Sequence, residues 1–213
     1  MPQRETEPAA GSAAGAERAE LEGSGAGGSE PAEPEVLRFH MPSPIGELAF
    51  TLTDRKVTGV RVAPKKKELA AHTPFLDLFD DESIDAEFLE ELFGRISEYF
   101  SGARRRLDVE YSLAGAGVSG FARRVLKETA KIPFGRTRTY GDIAEAAGRP
   151  DAYRLVLAAL VDNPLPIVVP CHRVTTNKSG IGSYVAGKKA KRWLLEMEKR
   201  AAKELATAAA APS

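Results

Sequence analysis

The stretch IVVPCHRV, residues 167–174, holds the only cysteine of this 213-residue chain. A lone thiol can form no internal disulfide, and one cysteine cannot supply a multi-cysteine zinc site. Two interpretations remain, a small buried apolar side chain or a thiol retained for its nucleophilicity. The apolar run and Pro170 predict a strand that delivers Cys171 into a basic turn. His172 and Arg173 favour the reactive interpretation, because neighbouring cations stabilise a thiolate.

The amino-terminal segment has a different composition. Residues 1–35 are mostly Ala, Gly, Glu, Ser and Pro, with almost no large apolar side chains, which predicts a disordered acidic tail. It lacks the basic start and apolar run of a secretory signal. No stretch approaches the roughly 20 apolar residues of a membrane span, so no membrane partner is expected. With one unpaired cysteine, the composition predicts a protein of the reducing cytoplasm.

The net charge of zero hides an asymmetry along the chain. Residues 101–200 carry 19 Lys and Arg against 9 Asp and Glu, and the remainder carries 11 against 21. A basic block around the cysteine motif indicates a polyanionic partner, with DNA or RNA first. The alternative, that the basic residues only solvate one face, stays open on charge alone.

Hydrophobic periodicity predicts a small β-sheet with helical cover before the basic block. Residues 65–83 are mixed and charged and predict a loop, and a boundary is expected near residues 101–120. The predicted elements are strands over 37–41, 47–53 and 56–62 and a helix over 86–100.

The basic block predicts mainly helices. Ser119 and Thr139 are expected N-caps, and Asp151 is expected to begin the second helix of a pair joined by the turn Gly148-Arg149-Pro150. A short helix, a turn with glycine and a second helix are typical of a helix-turn-helix. The predicted helices are 120–131, 140–147, 151–161 and 189–201, with a frayed tail over 202–213. The predicted fold class is α+β, with an N-terminal β-sheet domain followed by a mostly α-helical C-terminal domain that contains the helix-turn-helix and the active-site cysteine.

Four spaced motifs within residues 37–200 resemble one known family, the O6-alkylguanine-DNA alkyltransferases (methylated-DNA–protein-cysteine methyltransferases). They occur in the family's order and are densest between Phe121 and Glu198. The motifs are Ile132-Pro133-Phe134-Gly135 with Thr139-Tyr140-Gly141-Asp142-Ile143-Ala144; Asn163-Pro164-Leu165-Pro166; Pro170-Cys171-His172-Arg173-Val174; and Gly182-Ser183-Tyr184 with Lys191-Arg192-Trp193-Leu194-Leu195.

The resemblance implies repair of DNA by direct damage reversal. The protein would bind double-stranded DNA as a monomer, flip out an O6-alkylated guanine and accept the alkyl group irreversibly on Cys171, once per molecule. No cofactor is implied, and without further cysteines the zinc of some relatives is not expected. The implied domains are a ribonuclease-H-like α/β domain over 36–110 and a DNA-binding alkyltransferase domain over 111–201.

The resemblance also assigns chemical roles. Cys171 is the nucleophile, and His172 takes its proton through a bridging water. Glu198 accepts a hydrogen bond from the other imidazole nitrogen and fixes the tautomer. Tyr140 donates to the departing guanine. Without the resemblance, Glu198 would be interpreted as a solvated helix carboxylate and Tyr140 equally well as a core residue.

Other matched residues are implied to hold the DNA or shape the turn. Arg154 fills the gap that the flipped base leaves, although an exposed helix arginine more often forms an ion pair. Tyr184 and Val185 face the base, with backbone N–H groups around Val185 donating to its O6 atom. Arg173 is assigned to DNA or base binding, to holding the turn and to favouring the thiolate. Asn163 and Pro170 are structural.

Some positions depart from the family pattern. Leu157 stands near the position of a small residue, Asp162 places an anion near phosphates, and Ala186 replaces a glycine before Gly187. Ala186 is expected to narrow the pocket against bulky alkyl groups. Leu157 and Asp162 motivate an alternative, a lesion-sensing DNA-binding protein with weak or lost transfer. A third hypothesis, a cysteine hydrolase that uses Cys171 and His172, leaves the helix pair and the basic surplus unexplained.

Overall fold

The computed structural model describes residues 34–63, 65–82, 84–176 and 180–209. The first part of this range forms a four-stranded sheet in the order β3-β2-β1-β4. The three predicted strands are antiparallel neighbours, and β4 pairs parallel with β1. The strands are β1 (Val36–Met41), β2 (Leu48–Thr53), β3 (Lys56–Val62) and β4 (Thr73–Pro74).

Local turn chemistry joins the three long strands. Gly46 ends the first turn with φ +110°, a conformation that side-chain-bearing residues rarely adopt. The second turn consists of Asp54 and Arg55, both with positive φ (49° and 62°), as a two-residue hairpin loop of type I′ requires. The register Thr53↔Lys56 follows from that short loop.

One helix covers the sheet. Helix α2 (Ala86–Ser101) begins at the N-cap Asp85, whose side chain accepts from the Phe88 N–H at 3.1 Å, and ends at Gly102 with φ +85°. Its buried face is Leu89, Leu92, Ile96 and Tyr99. The preceding segment was predicted to be a loop, and that prediction was partly wrong. It contains the short helix α1 (Lys66–Leu69), strand β4 and a 3₁₀ helix over Phe75–Asp80.

The predicted helix pair is present and packs against α3 (Gly120–Ala130), which Ser119 caps. Its members are α4 (Tyr140–Ala146), with a capping box between Thr139 and Asp142, and α5 (Tyr153–Val161). The predicted start of α5 at Asp151 was wrong. Ala152 donates its N–H to the Arg149 carbonyl in a turn, and the helix begins afterwards without a side-chain cap.

The apolar run before the cysteine is not a strand. Val169 N–H bonds to the Leu165 carbonyl, and Ile167 between them has φ +77°, so this segment forms a tight turn. A 3₁₀ turn over Cys171–Arg173 follows, and then the two-residue strand β6 (Val174–Thr175), which pairs parallel with β5 (Arg138–Thr139). The run is apolar because its side chains are buried, and periodicity alone cannot separate a buried turn from a buried strand.

The last helix, α6 (Gly187–Ala209), closes the fold and continues past its predicted end at 201. Its Ala201 packs against Gly102 at the end of α2, where a β-carbon on the glycine would lie 2.7 Å from the alanine methyl. The apolar core runs from the sheet through to α6. The predicted α+β class is confirmed, while the boundary near residue 110 stays a prediction. Within the described ranges, no helix is long and apolar enough to cross a membrane.

Candidate active site

The Cys171 thiol lies at the start of the 3₁₀ turn and is 3 % exposed. Asn163 donates from Nδ2 to its Sγ at 3.2 Å and to the Val169 carbonyl at 3.1 Å. The Asn163 Oδ1 atom accepts from the Leu165 N–H at 3.0 Å. The amide therefore joins both ends of the tight turn and touches the sulfur, a contact that goes beyond its predicted structural role.

The resting sulfur is a thiol. Burial raises the pKa of Cys171 to about 11, and the Asn163 hydrogen bond and the charge of Lys191 only partly oppose that rise. The sequence interpretation named Arg173 as the cation that favours the thiolate, and this was wrong. The positive charge that lowers the pKa of Cys171 is that of Lys191. For this sulfur to act as a nucleophile, a base must therefore remove its proton.

The imidazole of His172 is fully buried and is oriented by Glu198. Its Nε2 atom lies 2.9 Å from the Glu198 Oε1 atom, so the N–H is on Nε2 and donates to the carboxylate. Among the described residues, Nδ1 has no hydrogen-bond partner, which leaves its lone pair free to accept a proton. Burial lowers the pKa of His172 and Glu198 partly offsets that effect, so the imidazole is neutral near pH 7.

The Glu198 carboxylate is held by four groups. Arg173 donates from Nε and Nη2 over 2.8–3.1 Å, and the Gly135 N–H donates to Oε2 at 3.0 Å. The Tyr99 hydroxyl donates to Oε1 at 2.8 Å, and His172 is the fourth partner. Burial alone would raise the pKa of Glu198, but the contacts with His172 and Arg173 outweigh it and set the pKa to about 2. The carboxylate therefore remains ionised.

The predicted DNA or base contact of Arg173 is wrong. Its side chain is buried, and besides Glu198 it donates from Nη1 to the Ile132 carbonyl at 2.7 Å. Since a buried carboxylate needs a paired cation, this guanidinium balances the charge of Glu198 instead of binding DNA. Its contacts join the 3₁₀ turn to Glu198 on α6 and to the segment that follows α3.

An open cavity of about 660 Å³ lies between the helix pair and the segment that precedes α6. Tyr140 lines it at the start of α4, and Leu157 and Tyr153 line it from α5. The ring of Tyr140 rests on Gly182, where a β-carbon would lie 2.7 Å from the phenol oxygen. Glycine is required there both by that contact and by its φ of +76°. Burial raises the pKa of Tyr140, and the negative form of Cys171 adds to the rise, so the phenol is a proton donor near the sulfur.

The structure separates the two residues predicted to face the base. Tyr184 is 9 % exposed, and its ring edge faces the His172 imidazole with centroids 6.2 Å apart. Its hydroxyl has no hydrogen-bond partner among the described residues. Val185, by contrast, is 45 % exposed at the turn into α6. Tyr184 thus packs inside the protein against His172, whereas Val185 is accessible from solvent.

Arg154 lies on the exposed side of α5, where its guanidinium rests over the ring of Tyr153. Its Nε atom donates to the Tyr153 hydroxyl at 3.1 Å. Among the described residues Arg154 has no ion pair of the kind considered as the alternative, and its accessible cation lies against Tyr153, which lines the cavity.

Two residues of the site were missed by sequence reasoning. Tyr99 comes from α2, far from the motifs, and no local pattern marks it. Lys191 is buried within the matched motif, and its Nζ atom donates to the carbonyls of Val174 at 2.5 Å and Ser183 at 3.0 Å. Burial lowers the pKa of Lys191 to about 8. A lysine on the inner face of an amphipathic helix was the available signal.

The described part of the chain has no group of three or more His, Cys, Asp or Glu side chains arranged to hold a metal ion. A family model described as 6-O-methylguanine DNA methyltransferase, DNA binding domain, matches residues 120–200. The matched residues include the helix pair, the thiol of Cys171 and the hydrogen-bonded side chains of His172 and Glu198. The second part of the chain is thus a DNA-binding domain of the alkyltransferase class.

Whole-chain comparisons agree with that class. A methylated-DNA–protein-cysteine methyltransferase of Mycolicibacterium paratuberculosis is 37 % identical over 158 residues, 74 % of this chain and 89 % of the relative. A Mycobacterium tuberculosis relative with the same description is 43 % identical over 105 residues, which are 62 % of its length. The crystal structure of a Mycobacterium tuberculosis O6-methylguanine methyltransferase has a TM-score of 0.64 at 33 % identity, covering 78 % of this chain and 94 % of that one. The chain belongs to the methylated-DNA–protein-cysteine methyltransferase family.

Proposed function

We propose that this protein repairs double-stranded DNA by moving the alkyl group of an O6-alkylguanine, methylguanine first, onto Cys171. The observation that carries the proposal is a buried thiol close enough to the phenol of Tyr140 to affect its pKa, followed in the chain by a neutral imidazole that an ionised carboxylate orients. Support for the DNA substrate comes from the relative from Mycobacterium tuberculosis that was crystallised in complex with DNA.

The reaction balances within these groups. The sulfur attacks the alkyl carbon, so an S–C bond forms as the C–O6 bond breaks and guanine leaves with the bonding electrons. The thiol proton passes through a water to the Nδ1 atom of His172, and Tyr140 supplies a proton to the departing base. The proton held by His172 then returns to Tyr140 through solvent, so the net change is one proton moved from the thiol to guanine. The S–C bond of the thioether is stable to hydrolysis, so the alkyl group stays on Cys171 and each molecule reacts once.

Each group suits its proposed part. A thiol with a pKa of about 11 is unreactive at rest and becomes a nucleophile only as His172 accepts its proton. Glu198 keeps the imidazole in the tautomer whose Nδ1 atom is basic. The cavity beside Tyr140, Tyr153 and Leu157 is large enough for a purine.

We propose that α4 and α5 contact the duplex and that Arg154 occupies the space of the extruded base. Arg154 is exposed beside Tyr153, which lines the cavity, and a planar cation can stack on the neighbouring base pairs. The family resemblance implies that such a helix pair enters the minor groove, where sequence readout is degenerate. Binding is then weakly sequence-dependent and weakens with salt.

The test is transfer of a labelled methyl group from an O6-methylguanine duplex, followed by the intact mass of the protein. We expect one methyl group per molecule on Cys171, no transfer by Cys171→Ala, and the same stoichiometry at longer times. Wild-type protein that gains no mass would refute the proposal.

Two observations favour the second candidate, a lesion-sensing DNA-binding protein. The thiol is 3 % exposed and protonated at rest, and Asp162 is exposed at the end of α5. Damage-dependent DNA binding without a mass increase on Cys171 would establish it. We also propose two domains, 36–110 and 111–201, action as a monomer without a cofactor, and a cytoplasmic location, which suits a single free cysteine.

A further inference from the structure

We infer that Tyr99, a residue of the N-terminal half, is a positioning residue for the proposed alkyl transfer. It acts through Glu198 on the imidazole that takes the thiol proton. The inference rests on the proposed function, but its test includes measurements that need no DNA.

The geometry around Tyr99 is a closed triangle of polar atoms. Its hydroxyl donates to the Glu198 Oε1 atom at 2.8 Å and lies 3.4 Å from the His172 Nε2 atom. The third side joins Nε2 to Oε1 at 2.9 Å. Tyr99 is 1 % exposed, and its ring packs edge-on against Phe100 and Phe134. The hydroxyl is therefore held in one position, in contact with both Glu198 and His172.

The hydrogen-bond pattern fixes which atom carries which proton. An ionised carboxylate can only accept, so the Tyr99 hydroxyl donates to Glu198. Burial and the nearby charge of Glu198 raise the pKa of Tyr99 well above 10, so the phenol remains a donor. By sharing Oε1, it disperses the negative charge that faces the imidazole. This holds His172 neutral, with the basic lone pair on Nδ1.

A second contact joins the N-terminal half of the protein to the segment that holds the thiol. The Val60 N–H of strand β3 donates to the Pro164 carbonyl at 2.8 Å. Pro164 follows Asn163, which holds the sulfur. The N-terminal sheet and its covering helix thus support both the thiol and the carboxylate. Both Val60 and Tyr99 lie outside the region that the family model matches, residues 120–200.

Removal of the hydroxyl has a defined effect on the titration of His172. The charge of Glu198 then acts on the imidazole undiminished, which favours the imidazolium and raises the pKa of His172. Less of the base is neutral at a given pH, so the acid limb of the pH–rate profile moves to higher pH. The charged and titratable groups that face this imidazole are Glu198 and Lys191 from α6, Arg173 and Cys171 from its own turn, Tyr99 from α2, and Tyr184.

The test compares Tyr99→Phe with wild type in the full chain. Tyr111→Phe is the matched control, since it removes the same hydroxyl from a residue that is 40 % exposed. Methyl transfer from an O6-methylguanine duplex is followed from about pH 5 to about pH 9. We expect Tyr99→Phe to slow transfer about tenfold, the size expected for the loss of one hydrogen bond to a charged group. Its acid limb moves upward by about one pH unit, while Tyr111→Phe matches wild type.

Two measurements without DNA separate this inference from the proposed function. The first is the pH dependence of Cys171 alkylation by iodoacetamide. The second is the ¹⁵N chemical shift of the His172 ring, which is resolvable because the chain has only three histidines. An upward move of the His172 titration in folded Tyr99→Phe supports the inference even if no methyl group is transferred. Profiles identical to those of Tyr111→Phe would overturn it, as would a rate loss that follows only a lowered melting temperature.

Discussion

Glu198→Gln tests the energetics of the site most directly, because the substitution removes one charge and almost no volume. Glu198 is fully buried, and its carboxylate is the only acid that contacts Arg173 among the described residues. The drop of its pKa from 4.5 to about 2 corresponds to roughly 3–4 kcal/mol of stability near neutral pH, at about 1.4 kcal/mol per pKa unit. Breaking a buried ion pair by removing one partner costs about 3–5 kcal/mol, so the two routes agree.

The expected pH dependence follows from the sign of that pKa change. A carboxyl group with a lowered pKa stabilises the fold above its unfolded pKa, and this contribution is lost as the pH falls toward the folded value. The difference between wild type and Glu198→Gln is therefore full near pH 7. It shrinks between about pH 4.5 and about pH 2.

The assay is thermal unfolding of both proteins across that range. Glu196→Gln is the control, since Glu196 is exposed on the same helix. A loss of about 3 kcal/mol lowers the melting temperature by roughly 6–12 °C for a protein of this size. A Glu198→Gln protein that melts within about 2 °C of wild type near pH 7 would refute the charge balance described for this site. So would a difference that does not shrink in acid.

Three further substitutions address the thiol, the DNA contact and the cavity. Asn163→Ala removes the hydrogen bond to Sγ, so the pKa of Cys171 rises further and iodoacetamide reacts more slowly at a given pH; the lost backbone contacts also cost about 1–3 kcal/mol in denaturant unfolding. Arg154→Ala, at an exposed position, should leave the melting temperature unchanged while slowing transfer from duplex DNA much more than from free O6-benzylguanine; equal losses with both substrates would contradict its proposed place in the duplex. Leu157→Ala widens the cavity and should raise the rate with benzylguanine severalfold relative to methylguanine in competition assays, and an unchanged ratio would mean that Leu157 does not set the size limit.

Burial keeps the Cys171 thiol protonated, and therefore unreactive, until a base removes its proton. Because the pKa of Cys171 is about 11, the sulfur is protected from adventitious alkylation while it waits. Asn163 and Lys191 lower that pKa without making the thiol acidic. The proposed reaction thus depends on coupling proton removal to the arrival of substrate, and the neutral imidazole of His172 is suited to that task.

The sequence by itself determined the elements whose signals are local. Strands β1 to β3, helices α2 to α4 and the caps Ser119 and Thr139 follow from periodicity and capping, which act over a few residues. The reactive thiol, its imidazole and its carboxylate were named because their motif resembles a known family. The predicted strand before Cys171 and the start of α5 at Asp151 were wrong, because burial and turn hydrogen bonds decide those segments.

The tertiary structure alone decided how the site is charged and supported. The contact between Tyr99 and Glu198 joins residues 99 positions apart, and the ion pair of Glu198 with Arg173 turned a predicted DNA-binding residue into a buried counter-ion. The tertiary structure also decides the pKa of Cys171, which desolvation raises and the charge of nearby Lys191 lowers. These properties depend on distances through the folded core, and a linear pattern does not contain those distances because they arise only when the sheet, α2 and α6 pack together.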